Sequence, residues 1–259
     1  MDRAEPSGEA WQVVDRQRDH MLKLVTKGFF NELVNYGVKR EEMLRVASHL
    51  LDNLLSRDLG KAQPRPTSDS RFSLRSVQDH WKNEHHLTVD EVTLRPLGRA
   101  LLPRLSEWLR APGVSESFVR PFPVGQEALE SHLFGSPERD YLEIDVSGET
   151  VGIIGGESLD HASGRMEMRK LVGDPDRRGQ GIGKRATFGF IYYAFSILGL
   201  HKLYVHSRDI NVRNMNLNSS FGFELEGVFL EEIPTPDGRR ADVVRMALLK
   251  PIWVAMFGV

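Results

Sequence analysis

The 259-residue chain contains no cysteine. That excludes disulfide staples, thiolate metal sites and a cysteine nucleophile together. A surplus of charge of either sign is also missing: 34 Lys and Arg stand against 36 Asp and Glu, a formal net charge of −2. A near-neutral chain has no general attraction for nucleic acid or an anionic membrane surface, so neither is expected as a partner. Long apolar runs are absent too. The longest uncharged stretch, Ala186 to Leu200, is interrupted by Gly189, Ser196 and Gly199, and it falls short of the ~20 residues that a membrane-spanning helix needs. It reads as a buried helix. The opening residues Met1-Asp2-Arg3-Ala4-Glu5-Pro6 lack the basic-then-apolar layout of a secretion signal, and a soluble, cytoplasmic protein is expected. The nine histidines show no ligand spacing, and the adjacent pair His85-His86 points two ways, so no metal is expected.

What is present suits a globular protein: 40% apolar and 27% charged residues, in a chain long enough for one large domain or a smaller one with an appendage. Trp11, Val14, Met21, Leu22, Val25, Phe29, Leu33 and Tyr36 recur at helical steps, with Gly37 as a stop. A second helical face carries Met43, Leu44, Ala47, Leu50, Leu51, Leu54 and Leu55. Residues 59–68, with Gly60, Pro64 and Pro66, read as a linker, and Leu74, Val77 and Trp81 suggest a third helix. With 14 basic and 13 acidic residues, segment 1–88 is no basic arm. Its apolar faces predict an accessory helical unit that packs on the rest of the chain, on a protein partner or on a second copy.

From residue 89 the periodicity changes. A strand is expected from Val89 to Leu97, then a helical stripe through Leu101, Leu105 and Trp108. Three strands follow as a meander: Tyr141–Val146, Thr150–Leu159 and Arg165–Val172, separated by Ser147-Gly148 and by 160–164. Next come a glycine-rich loop, a long apolar helix to about Leu198, a strand from Lys202 to His206, and a short helix from Asn211. A closing strand pair, Phe223–Leu230 and Val243–Leu249, ends the pattern. The order specifies an α/β fold with a mixed, mostly antiparallel sheet flanked by helices.

The chemistry concentrates in Asp174-Pro175-Asp176-Arg177-Arg178-Gly179-Gln180-Gly181-Ile182-Gly183-Lys184-Arg185. It leaves a strand and opens a helix, so its backbone N–H groups and the helix dipole can converge on a pyrophosphate. A P-loop NTPase would need glycine where Arg178 stands and Ser or Thr where Arg185 stands. Gly181-x-Gly183-x-x-Ala186 fits a loose dinucleotide fingerprint, but it follows a meander, and no acidic residue ends a strand ~20 residues on.

The fuller match is elsewhere. Arg178-Gly179-Gln180-Gly181-Ile182-Gly183 resembles the acetyl-CoA signature of the GNAT superfamily of N-acetyltransferases, and Leu171-Val172-Gly173-Asp174-Pro175 resembles its lead-in. Asn211, Gly222-Phe223 and Glu226-Gly227 follow in the family's order. The last strand, within 237–249, is similar to that of the branch containing ribosomal-protein alanine N-acetyltransferases. The likeness covers roughly 89–252. It implies direct transfer of acetyl from acetyl-CoA, without metal, to a primary amine of a small molecule or a protein N-terminus. Leu171, Val172 and Gly173 would bind the pantetheine arm and supply an oxyanion-stabilising N–H. Arg178, Gly179, Gln180, Gly181, Ile182, Gly183 and Lys184 would hold the pyrophosphate, and Asn211 completes the cofactor set.

The amine must lose a proton, and a strand carboxylate can take it. Glu167, on the strand entering the loop, leads, and Glu157, on the preceding strand, is the rival. Asp242 would attract the ammonium group. The tyrosine that many relatives place four residues before the Gly-Phe pair is here Asn218, which can hold the thioester sulfur but cannot donate a proton at neutral pH. The competing reading is a CoA-binding module without transferase activity that acts through its helical segment. Variable loops, 111–134 and 231–238, would shape the acceptor site.

Overall fold

The computed structural model describes residues 72–258, except 113, 115–117, 209–211 and 236–237, together with short stretches between 19 and 47. In those stretches residues 25–31 and 42–47 are helical. Residues 19, 22–23 and 33–34 are helical as well; the remainder of the first two expected helices and the 59–68 linker lie outside the described residues.

From residue 77 the chain builds one sheet, in the order β1-β2-β3-β4-β5-β6-β7-β9-β8 among the described residues. The strands are β1 Val77–Asp79, β2 Leu87–Val89, β3 Val92–Pro96, β4 Asp140–Val146, β5 Glu149–Asp160, β6 Arg165–Val172, β7 Lys202–Arg208, β8 Glu224–Pro234 and β9 Arg240–Leu249. Neighbours are antiparallel except β6 and β7. The helices are α1 Trp81–Glu84, α2 Leu102–Arg110, α3 Gln126–Phe134, α4 Ile182–Tyr192, α5 Val212–Ser220 and α6 Lys250–Phe257. The mixed, helix-flanked sheet and its meander are as the sequence predicts.

Two apolar layers lie on opposite faces, as strand alternation requires. Met166 and Met168 of β6 point toward α4 and α6, among Phe188, Phe190, Trp253 and Phe257. Leu171 points the other way, against Leu105, Trp108, Leu129 and Leu133 of α2 and α3.

Four expectations need correction. The supposed third helix is a 3-10 turn, Leu74–Ser76, then β1 and the single turn α1; Val77 pairs across to Val89, so sheet pairing overrides helical spacing. The strand expected over 89–97 is a hairpin turned at Asp90, whose φ is 51°. The 111–134 loop contains α3, and α6 follows the last strand. The boundary at 88/89 falls inside β2, and Phe72, 7% exposed, stacks 4.9 Å from Phe188 and 5.5 Å from Phe221. Among the described residues, the packing of this sheet therefore reaches back at least to Phe72.

Candidate active site

The site arises where the only parallel neighbours of the described sheet part. β6 and β7 pair over Arg165↔Lys202, Met166↔Leu203 and Glu167↔Tyr204, then diverge while β6 runs on to Val172 and β7 to Arg208. Beyond Glu167, β6 therefore shows one backbone edge to an opening. Gly173 N–H donates to Val151 O at 2.9 Å. Amides alternate in direction along a strand, so those of Lys170 and Val172 face the opening. The Val172 carbonyl confirms the direction by accepting from Arg178 Nε at 3.0 Å. In the stretch 171–173, expected to bind the pantetheine arm, only the Val172 amide faces the opening, with that of Lys170 before it; the Leu171 and Gly173 amides face β5.

The loop after β6 turns on two left-handed glycines, Gly179 at φ 82° and Gly181 at φ 81°, and Gly181 caps α4. The first amides of the helix lack intrahelical acceptors and point outward, beside the positive end of the dipole. Around them opens a cavity of about 420 Å³ lined by Lys170, Val172, Arg177, Arg178, Gly179, Gly181, Gly183, Lys184, Asn214 and Leu217. The side chains divide the work. Arg178 clamps the strand end, its Nη2 on Gly173 O at 3.2 Å. Gln180 Nε2 donates to Asp176 O at 2.7 Å and stiffens the loop. Arg185 turns away to Asp90 and Glu91. Lys184 lies over the Phe72 and Phe221 rings, with its ammonium at the cavity wall. Ile182 is buried under the loop. Asn211 lies outside the described residues.

A second cleft, about 150 Å³, continues from this one through Lys170 and Asn214 and includes Glu167, Met168, Arg169, His206, Ser207 and Asn218. Asn218 is 1% exposed, and neither polar atom of its amide has a hydrogen-bond partner among the described residues. A buried amide with no partner is costly, and this one borders the opening between the strands. Glu167, also buried, places Oε1 3.1 Å from His206 Nδ1. A third cavity of about 270 Å³ shares Val119, Arg120, Glu167 and His206 with the second. Glycine cradle, strand opening, orphaned amide, carboxylate and outer cavity thus form one continuous path.

Residues 102–223 match the Acetyltransferase (GNAT) family. Those residues, just under half of the chain, resemble a GNAT acetyltransferase domain. Its relatives include the spermidine N(1)-acetyltransferases of Vibrio cholerae and Escherichia coli K12. The first is 27% identical over 125 residues, 48% of this chain and 71% of that protein. The second is 25% identical over 178 residues, 65% of this chain and 91% of that protein. The V. cholerae enzyme in complex with CoA and spermine shares the fold, with a TM-score of 0.59 at 22% identity over 63% of this chain and 98% of that one. The protein is accordingly an N-acetyltransferase with acetyl-CoA as co-substrate. No described helix is long and apolar enough to cross a membrane.

Within the matched stretch, the rival carboxylate Glu157 has other duties. Its Oε1 accepts from Tyr141 Oη at 2.5 Å, from His132 Nε2 at 2.9 Å and from Arg169. Burial alone would raise the Glu157 carboxyl, but the His132 hydrogen bond, the Arg169 charge and the Tyr141 hydroxyl outweigh it and hold the group at about 2. So acidic and crowded a carboxylate is a poor proton acceptor. Asp242 accepts the Glu231 N–H at 2.7 Å where β8 bulges. Sequence reasoning missed Arg169, His206 and Lys170. The first two were legible only as alternate positions on strands. Lys170 has a signal, a lysine at an inward strand position. Its largely buried ammonium donates to Thr187 Oγ1 at 2.7 Å and Gly183 O at 3.3 Å, and burial lowers its pKa to about 8.

Proposed function

We propose that the domain transfers acetyl directly from acetyl-CoA to a primary amine held in the outer cavity, with Glu167 as proton acceptor. The observation that carries this reading is the position of Glu167, among the described residues the one carboxylate lining both the inner cleft and the outer cavity. Bound acetyl-CoA supplies the thioester. The glycine amides and the cations around them hold its pyrophosphate, and the Lys170 and Val172 amides offer strand-like pairing to its arm. Glu167, with His206 behind it, takes the ammonium proton through direct contact or one water. Asn218 finds a partner for its orphaned amide in the thioester group, leaving thiolate departure to rely on the moderate basicity of a thiol of pKa about 8.5.

The reading as a CoA-binding module without activity would require a blocked transfer site, whereas the inner cleft opens into a cavity. The segment before residue 72 then acts as an accessory helical unit, on a protein partner or between copies. Acceptor arms follow from the resemblances: spermidine from the relatives, an N-terminal peptide from the closing strand. The test is thioester consumption by the whole protein against an amine panel. Binding of acetyl-CoA with no turnover on any amine would overturn the proposal.

A further inference from the structure

The outer cavity is walled by Val119, Arg120, Ser158, Glu167, Tyr204, His206, Phe229, Glu232, Ile233, Val243 and Arg245. Its charges do not suit a polycation. Among the described residues, two carboxylates line it, Glu167 and Glu232, and two guanidinium groups face them, Arg120 and Arg245. Glu226 lies 2.8 Å from Arg245 Nε and also accepts from Lys202, so Glu167, Glu232 and Glu226 balance Arg120, Arg245 and Lys202, and the group carries no surplus of negative charge. Burial would raise the Glu226 carboxyl, but Lys202 and Arg245 lower it, so this carboxylate stays ionised without cancelling both cations. Arg245 is further fixed by stacking over Tyr204, 4.0 Å from the ring centroid.

Arg120 is exposed and makes no ion pair among the described residues, yet its backbone is held from below. Its carbonyl accepts from Arg169, which lies 4.1 Å from the Phe122 ring centroid and 5.0 Å from that of Phe118, and is locked by Glu157. The guanidinium thus springs from a braced stretch of chain. A polyamine would bring several positive charges to a wall whose two carboxylates are already matched by two guanidinium groups, with no surplus of negative charge to receive them. An acceptor with one amine and one anion would place the amine at Glu167 and the anion among the guanidinium groups, whose planar donors match a carboxylate.

Resting on the acetyltransferase reading above, we infer that the acceptor is a small primary amine bearing its own carboxylate, of the size and charge pattern of an amino acid, and not a polyamine. The transfer balances simply. The ammonium gives one proton to Glu167, the free amine bonds to the acetyl carbon, the C–S bond breaks, and the second proton shed by the nitrogen goes to the departing thiolate directly or through solvent.

The full-length protein should be assayed with a set of amino acids, with butylamine, and with spermidine. The best amino acid should exceed spermidine in kcat/KM by at least about tenfold. Arg120→Gln should cut that preference over butylamine by roughly tenfold, as expected for one charge-assisted hydrogen bond, and Arg120→Glu should tilt the ratio further toward spermidine. Acetyl-CoA affinity, measured alongside, serves as the folding control. Spermidine as the best acceptor, or an amino-acid preference unmoved by Arg120→Glu, overturns the inference while leaving the enzyme reading intact. No turnover with any amine, despite tight acetyl-CoA binding, overturns the enzyme reading and this inference with it.

Discussion

At the scale of single residues, the two candidate carboxylates separate by their partners. Both stand on sheet strands and are paired across β5 and β6, which is why sequence alone ranked them by position only. Glu167 keeps an oxygen beside two cavities, and Glu157 spends one on three donors. Glu167→Gln should therefore lower kcat by about 10²–10⁴-fold, the usual range for general base catalysis, with acetyl-CoA affinity little changed. The deficit should narrow as pH rises and the free amine becomes common; a constant deficit from pH 7 to 10 would remove the role. Glu157→Gln should instead destabilise the fold by about 1–3 kcal/mol, the cost of leaving buried donors short. The Glu157 pKa is lowered in the folded protein, from 4.5 to about 2. Its contribution is thus present above pH 4.5 and lost as pH falls toward 2, so melting curves of the two proteins should converge in that window. Asn218→Ala should cost about tenfold or less in turnover, one neutral hydrogen bond. The amide was visible in the sequence as a departure from the tyrosine of many relatives, but its lack of partners was not, because that depends on what α5 packs against.

At the scale of elements, β4 to β7 were legible because inward residues alternate between turn signals. The loop was legible because glycine is needed where φ is positive, at Gly179 and Gly181. The β1–β2–β3 end was misread because strands of three to five residues are too short to impose a period. Invisible, too, was the support under the loop. Lys170 joins β6 to the first turns of α4 through Gly183 O and Thr187 Oγ1, a pairing no local pattern encodes. Burial lowers this lysine from 10.5 to about 8, so its charge is present below pH 8 and lost as pH rises through it. Calorimetry should find acetyl-CoA binding weakening across that range. Lys170→Met should bind roughly tenfold more weakly at pH 7 and show a flatter profile from pH 7 to 9.5. An unchanged slope in the variant would place the titrating group elsewhere. Gly181→Val should weaken binding severely, because a β-branched residue is strained at φ 81° and would distort the loop whose amides face the cavity.

At the scale of the whole molecule, the question is where the catalytic fold begins. The composition of 1–88 suggested a separate helical unit, and apolar side chains such as Leu22, Phe30 and Leu44 are exposed among the described residues. Yet Phe72 belongs to the core between α4 and the Phe221 turn, and β1 and β2 extend the sheet over residues 77–89. Any dividing point therefore lies before Phe72. A chain shortened to begin at residue 70 should retain acetyl-CoA binding and a cooperative melt. One beginning at residue 90 removes Phe72 and both strands, leaving Val92 and Leu94 of β3 at a raw sheet edge. Loss of a buried phenylalanine alone costs about 3–5 kcal/mol, comparable with the whole stability of a marginal domain. That shorter chain should aggregate or melt without cooperativity, since an unpaired apolar edge invites strand addition. Size-exclusion chromatography with thermal melts of the two chains decides the matter. If the chain starting at 90 folds and binds acetyl-CoA as well as the longer one, the 72–89 segment is accessory after all. If the chain starting at 70 fails, the helices before it are part of the same core.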